Sequence, residues 1–253
     1  MKIIIAPAKQ MKQDLDSFLV KSKPEFLSQT EILADFLQSR SRDELAELWQ
    51  ASDSVVSKSI QQLKQMDLKQ HLTPAIIAFS GIQYQYMAPD LFSQPALDYI
   101  QENLRIMSGF YGLLRPFDGV SLYRLEMKTG MVGFKDYSLY HFWGEKLANS
   151  LFNNNDLVIN LASKEYSRAI SPYLNDGRKM VTIDFQEQKN GKWRTIATHA
   201  KMTRGAMVRY LAENQIKNLA DVQDFRDFNY QFVPEASTED HYIFRTDFDF
   251  KHH

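Results

Sequence analysis

Met1-Lys2-Ile3-Ile4-Ile5-Ala6-Pro7 opens the chain. Three consecutive isoleucines bounded by a lysine and an Ala-Pro step are apolar on both faces, the pattern of a strand at the centre of a sheet covered by helices. The stretch is too short for the apolar part of a signal peptide and reads as a first buried strand. Ala75 to Phe79 and Leu157 to Leu161 carry the same signature. Farther on, Met180 to Gln186 and Trp193 to His199 flank Lys189-Asn190-Gly191. An Asn-Gly between two alternating segments predicts a β-hairpin, because both residues tolerate positive φ. A hairpin added to doubly buried strands makes the sheet mixed rather than purely parallel.

Helical patterns fall between these strands. Pro24 to Gln38 repeats apolar residues at helical spacing, Asp43 to Gln50 and Asp53 to Gln65 follow, and Ser52 is placed to cap the latter with its hydroxyl. Tyr137 to Phe152, Met202 to Asn214 and Asn218 to Phe225 supply three more. No Gly-, Ser- or Pro-rich linker divides the chain, and the asparagine run 153–155 reads as a loop between helix and strand. The expected fold is mixed α/β: a central mixed sheet flanked by helices, in a single compact domain over residues 1–253.

The composition is 44% hydrophobic and 24% charged, which excludes the disordered and fibrous classes. Cysteine is absent, excluding disulfides, thiolate metal sites and a cysteine nucleophile. No run approaches the roughly 20 apolar residues of a membrane span, so a cytoplasmic protein with no membrane partner is expected. The net charge is −1, so any anion-binding site must come from uneven placement of the 30 basic residues. The closing Lys251-His252-His253 is assigned no function.

Four segments carry chemistry. Arg105 to Asp118 contains Ser108-Gly109-Phe110-Tyr111-Gly112 between Arg105 and Arg115, and is followed by Tyr123-Arg124-Leu125-Glu126-Met127. Glycines let backbone approach backbone or ligand, and arginine offers a planar fork for phosphate or carboxylate. The plainer alternative is a tight turn whose arginines pair with Asp118 and Glu126. In His199 to Tyr210, Lys201, Arg204 and Arg209 fall within a helical arc of roughly 140°. Near a helix N-terminus such cations suit an anion. Lys9 follows the first strand, where ligands of open α/β sheets gather. Tyr140-His141-Phe142-Trp143-Gly144 is an aromatic cluster able to stack bases or to fill the core. No phosphate-loop, dinucleotide-binding or serine-elbow spacing is present, and His141 and His199 stand apart from other ligand types. Neither a metal nor a cofactor is expected.

Taken in order, Pro7-Ala8-Lys9, Ala78-Phe79-Ser80-Gly81, Leu104-Arg105 through Leu114-Arg115-Pro116, Tyr123 to Met127, Phe142-Trp143-Gly144, Asn160-Leu161-Ala162-Ser163 with Glu165-Tyr166, and Ala200-Lys201 with Arg204-Gly205 resemble the YaaA family of bacterial cytosolic peroxide-stress proteins. The resemblance spans nearly the whole chain. It implies protection from hydrogen peroxide, with limits on free iron and on the DNA damage that follows. It also implies DNA binding through a positively charged cleft and a helix-hairpin-helix element. Lys9, Arg105, Arg115, Arg124, Lys201 and Arg204 are then the cleft candidates, with Arg209 beside them. Two stretches depart from the family pattern. Ser-Pro-Ala-Lys-Thr is here Ala6-Pro7-Ala8-Lys9-Gln10, and Gly-Asp-Val-Tyr is here Gly81-Ile82-Gln83-Tyr84.

Two short helix pairs offer themselves for a DNA backbone, 43–50 with 53–65 and 202–214 with 218–225, although neither has a Gly-x-Gly hairpin. The leading expectation is a protein that binds duplex or distorted DNA, with Tyr111 or Trp143 stacking an exposed base. The alternative is an enzyme acting on a small anionic or nucleobase-like molecule, with Glu126 as general acid or base. That version requires Glu126 to lie near Lys9 and Lys201. Direct iron binding is disfavoured by the absence of a helical Glu-x-x-His.

Overall fold

The computed structural model describes residues 1–135, 137–153, 156–175 and 177–250. Asn154 and Asn155 of the asparagine run, and the closing Lys251-His252-His253, lie outside the described residues.

Strand β1 (Lys2–Ile5) is central, and Ile3, Ile4 and Ile5 are fully buried. The other strands of its sheet are β2 (Leu104–Ser108), β3 (Gly112–Leu114), β4 (Leu157–Leu161), β5 (Lys179–Lys189), β6 (Lys192–Arg194), β7 (Gln231–Phe232) and β8 (His241–Thr246). The order is β7-β8-β5-β4-β1-β2-β3, with β6 paired to β5. β1 runs parallel to β2 and β4, so that Ile4 faces Arg105 on one side and Asn160 on the other. β5 is parallel to β4 and β8, whereas β3, β6 and β7 are antiparallel additions. The sheet is therefore mixed, as expected. The predicted hairpin turns at Asn190 (φ 52°) and Gly191 (φ 72°), the two positive values its tight turn demands.

Helices α1 (Leu27–Gln38), α2 (Arg42–Trp49), α3 (Asp53–Lys64), α4 (Ile82–Met87), α5 (Gln94–Asn103), α6 (Leu139–Trp143), α7 (Lys146–Leu151) and α8 (Ala197–Glu213) accompany the sheet. Helix α2 starts with a full capping box. Ser41 accepts from the Glu44 N–H, and the Glu44 carboxylate accepts from the Ser41 N–H at 2.7 Å. Ser52 occupies the capping position of α3, but its hydroxyl meets Ser54 and caps nothing.

Several expectations are corrected. Ala75 to Phe79 is no strand of the main sheet. Ala75–Ala78 makes one helical turn, and Phe79–Ser80 pairs with Gln10–Met11. A short apolar run suits a buried turn as well as a strand, and periodicity cannot separate them. The segment predicted as one helix over 137–152 is broken at Gly144, whose φ of +49° ends α6. The strand expected over 193–199 stops at Arg194, and α8 begins at Ala197 rather than Met202. Residues 218–225 contain only a 3-10 turn, Ala220–Asp224, so the second candidate helix pair has no second helix. The first pair, α2 and α3, forms. No described helix is long and apolar enough to cross a membrane.

Candidate functional site

Pro7-Ala8-Lys9 leaves the carboxyl end of β1, where crevices open in α/β sheets. The pairing of Gln10–Met11 with Phe79–Ser80, and the Lys12 N–H bonded to the Ala78 carbonyl at 2.9 Å, hold this loop in place. Two glycines bring the remaining walls to it. A Cβ on Gly205 of α8 would collide with the Gln83 carbonyl oxygen and lie 2.9 Å from the Met87 nitrogen, so α8 and α4 meet backbone to backbone. A Cβ on Gly109 would lie 2.6 Å from the Leu125 carbonyl oxygen. The loop carrying Arg124 and Glu126 therefore rests directly on the turn between β2 and β3.

The resulting cavity measures about 390 Å³. Lys9, Arg124, Glu126, Lys201 and Arg204, predicted from three separated segments of the sequence, all line it. Glu126 bridges two of the cations. Its Oε2 is 3.0 Å from Lys9 Nζ and its Oε1 is 3.2 Å from Arg124 Nη2. Of the two neighbours that the enzyme alternative requires for Glu126, Lys9 is in direct contact and Lys201 shares the cavity lining. Lys201 is exposed at the rim, while Arg204 is half-buried without a carboxylate within ion-pair distance among the described residues. Burial lowers the pKa of the Arg204 guanidinium, and the charge of Asp184 only partly opposes that.

Other candidates lie elsewhere. Arg105 donates to the Glu102 and Leu104 carbonyls at 3.0 and 2.7 Å, and Lys2 reaches the same Glu102 carbonyl at 2.8 Å. These are cations closing the C-terminal end of α5. Arg115 is exposed near Arg105, and its N–H donates to Asp118 at 2.8 Å. Both arginines thus sit away from the cavity, which neither lines. Arg209 pairs with Asp227 at 3.2 Å and is also outside it. Lys201 and Arg204 stand a turn or more inside α8, so the helix terminus adds less to them than a start at Met202 would.

Stacking by Tyr111 or Trp143 is overturned. Both are fully buried; the Tyr111 hydroxyl accepts from the Ser121 N–H at 2.9 Å, and the Trp143 Nε1–H donates to the Gly109 carbonyl at 3.0 Å. They brace the turn under Arg124 and Glu126 from behind. The aromatic wall consists instead of Tyr84, Tyr123 and Tyr166, which line the cavity. Their hydroxyls are committed elsewhere: Tyr84 to the Ala6 carbonyl at 3.0 Å, Tyr123 to Ser108 Oγ at 2.6 Å, and Tyr166 to the Met127 N–H. Burial, first of all, pushes each of these phenols well above its ordinary pKa.

Gln83 was not anticipated. It is 7% exposed, and its Nε2 has no partner among the described residues. The Nε atoms of Arg124 and Arg204 and the Nε1 of Trp49 are likewise buried without one. An unmet buried donor costs about 1–3 kcal/mol and is rare in native folds. Each of these four belongs to a residue lining either the cavity or an adjoining groove of about 520 Å³, which shares Lys9, Arg124 and Glu126 with it. The only sequence signal for Gln83 was the departure of its segment from the family pattern. Among the described residues no three His, Asp or Glu side chains are placed to hold a metal ion.

A family model described as peroxide stress protein YaaA matches residues 1–236. The UPF0246 protein LBA1843 of Lactobacillus acidophilus is 69% identical over 253 residues, the full length of both chains. A UPF0246 protein of Lactobacillus helveticus is 68% identical over the same span. One from Lactiplantibacillus plantarum is 48% identical, over 96% of this chain and 98% of its own.

Proposed function

This chain belongs to the peroxide stress protein YaaA family, and from that premise we propose that it serves the stress response by binding DNA at the cavity beyond the carboxyl end of β1, so limiting oxidative damage to the bound DNA. The carrying observation is the set of unmet buried donors on that cavity's wall beside four cationic side chains. Backbone phosphates supply both the charge and the acceptor atoms such a wall lacks. Lys201 and Arg204, free of Glu126, make the primary phosphate contacts. Lys9 and Arg124 are held by Glu126 and position the site more than they neutralise a ligand.

Fluorescence-anisotropy titration of duplex, bulged and single-stranded DNA tests this. Neutralisation of two to four phosphates predicts a loss of affinity of roughly 10- to 150-fold between about 50 and about 200 mM salt. Affinity that is flat across that range contradicts the proposal.

A second reading has its own support in the bridging of Lys9 and Arg124 by Glu126 inside the cavity. A carboxylate so held is within reach of a bound molecule as general acid or base for a small anionic or nucleobase-like substrate. Turnover of a nucleotide or nucleobase that Glu126→Gln abolishes, with binding retained, would favour it. Binding without turnover across a screen of such compounds would count against it.

A further inference from the structure

Resting on the DNA-binding reading, we infer that the cavity takes one nucleotide turned out of a strand, its base against the wall of Tyr84, Tyr123 and Tyr166 and its phosphate at Arg204 and Lys201. Size is the first argument. A space of about 390 Å³ admits no duplex, yet falls within the range of sites for a single small molecule.

The wall is the second. The three phenols hold their hydroxyls on protein partners and are 5–7% exposed, so each offers an occupant only the small part of its ring that lines the cavity. Sequence-tolerant recognition of single bases rests on such surfaces. The Gln83 Nε2, buried at the cavity wall with no partner among the described residues, supplies a donor for a ring nitrogen or carbonyl of the base once the side chain turns toward it.

Charge is the third. Lys9, Arg124, Lys201 and Arg204 stand against Glu126 and Glu165, leaving a surplus of two positive charges. That matches the two singly charged phosphodiesters that flank one nucleotide of a strand, whereas a triphosphate or a longer track of phosphates would meet the two carboxylates uncompensated. Glu126 and Glu165 also offer acceptors for an exocyclic amino group.

The adjoining groove separates a strand from a free nucleotide. It opens beside Lys9, Arg124 and Glu126, and its own Arg40 and Lys128 are balanced by Glu44 and Glu47, with Arg40 paired to Glu44 at 3.2 Å. It therefore provides room for the flanking chain without a second strong anion site. Extrusion from a paired duplex is opposed by unstacking, which is least for a base already unpaired.

The test uses three labelled duplexes: one with a single-nucleotide bulge, one in which that bulged residue is a base-less tetrahydrofuran, and one fully paired. Deoxyadenosine monophosphate serves as free competitor. The bulge is expected to bind roughly 10-fold or more tightly than its base-less counterpart. Gln83→Met should narrow that gap, and Gln83→Glu, which keeps the volume but removes the donor, should do the same if the methionine variant misfolds. Equal affinity for the bulge and the base-less duplex overturns the inference while leaving DNA binding standing. Equal affinity together with binding of the free monophosphate identifies the occupant as a free nucleotide and likewise overturns it. Absence of binding to all three duplexes removes the DNA-binding reading itself, and this inference with it.

Discussion

Two cationic regions occupy different parts of the sheet, and they are built differently. Around Lys2, Arg105 and Arg115, the charges end on protein: carbonyls of α5 take Lys2 and Arg105, and Asp118 and Glu102 lie within electrostatic reach. At the carboxyl end of β1, among the described residues, Lys201 has no such partner, and the Arg204 Nε and Gln83 Nε2 are buried donors without an acceptor. Both regions hold arginines at points the sequence singles out. What distinguishes them is unmet bonding capacity, which only the second has to offer a ligand.

The comparison breaks most sharply at Gly205. An alanine there drives a Cβ into the Gln83 carbonyl, a backbone atom that cannot give way. Gly205→Ala is expected to destabilise the fold by about 3 kcal/mol and to disrupt the cavity. A thermal melt within about a degree of wild type would mean that the α4–α8 crossing does not set the site.

Next, the two kinds of arginine should answer oppositely to truncation of the charge. Arg204→Met keeps the aliphatic stem, removes a half-buried guanidinium whose Nε has no acceptor among the described residues, and should raise stability by about 1 kcal/mol. Arg105→Met removes two bonds to carbonyls and should lower it by about 1 kcal/mol. Urea midpoints decide; changes of the same sign would erase the distinction.

Alkaline titration reports the cavity wall. The folded-state pKa of Tyr84 is raised by burial and then by Tyr123 and Tyr166, so above about pH 10 the unfolded chain releases its proton first. Stability present below that pH is lost as pH rises, by about 1.4 kcal/mol per pH unit for each such phenol. Tyr84→Phe should make the alkaline decline shallower by one phenol's share. An unchanged slope would place Tyr84 in contact with water.

The smallest effect is expected at the other region. Burial raises the Asp118 carboxyl pKa, against hydrogen bonds from Ser22 and the Arg115 N–H. Its contribution to stability is present below the ordinary carboxylate pKa and lost as pH rises through the folded value. Asp118→Asn should flatten stability from about pH 4 upward, measured by urea unfolding at several pH values. A steeper dependence in the variant would mean the carboxylate is stabilised rather than penalised.

The sequence disclosed what is local. Ile3 to Ile5 announced the central strand by being apolar on both faces, and Asn190-Gly191 announced the hairpin by its φ requirement. Lys9 drew notice by following the first strand, Arg124 and Glu126 by following an arginine-flanked glycine turn, and Lys201 and Arg204 by their shared arc near a helix start. The turn at Ala75–Ala78 was not, since a four-residue apolar run lacks a period. Nor was the aromatic wall. Tyr84, Tyr123 and Tyr166 come from segments far apart in the chain, brought to one cavity by tertiary contacts that include the close backbone approaches at Gly109 and Gly205. Tyr111 and Trp143 misled because a conspicuous aromatic in a glycine-rich turn serves equally well as the brace behind it.

The most direct test sets one region against the other. Bulged DNA is titrated by anisotropy with wild type, with Lys201→Ala/Arg204→Ala and with Arg105→Ala/Arg115→Ala, each checked for a native thermal melt. The account predicts that the first pair weakens binding roughly 10-fold or more and flattens its salt dependence, while the second leaves both near wild type. Binding lost with Arg105 and Arg115 but retained without Lys201 and Arg204 would contradict it and move the DNA site to the opposite region.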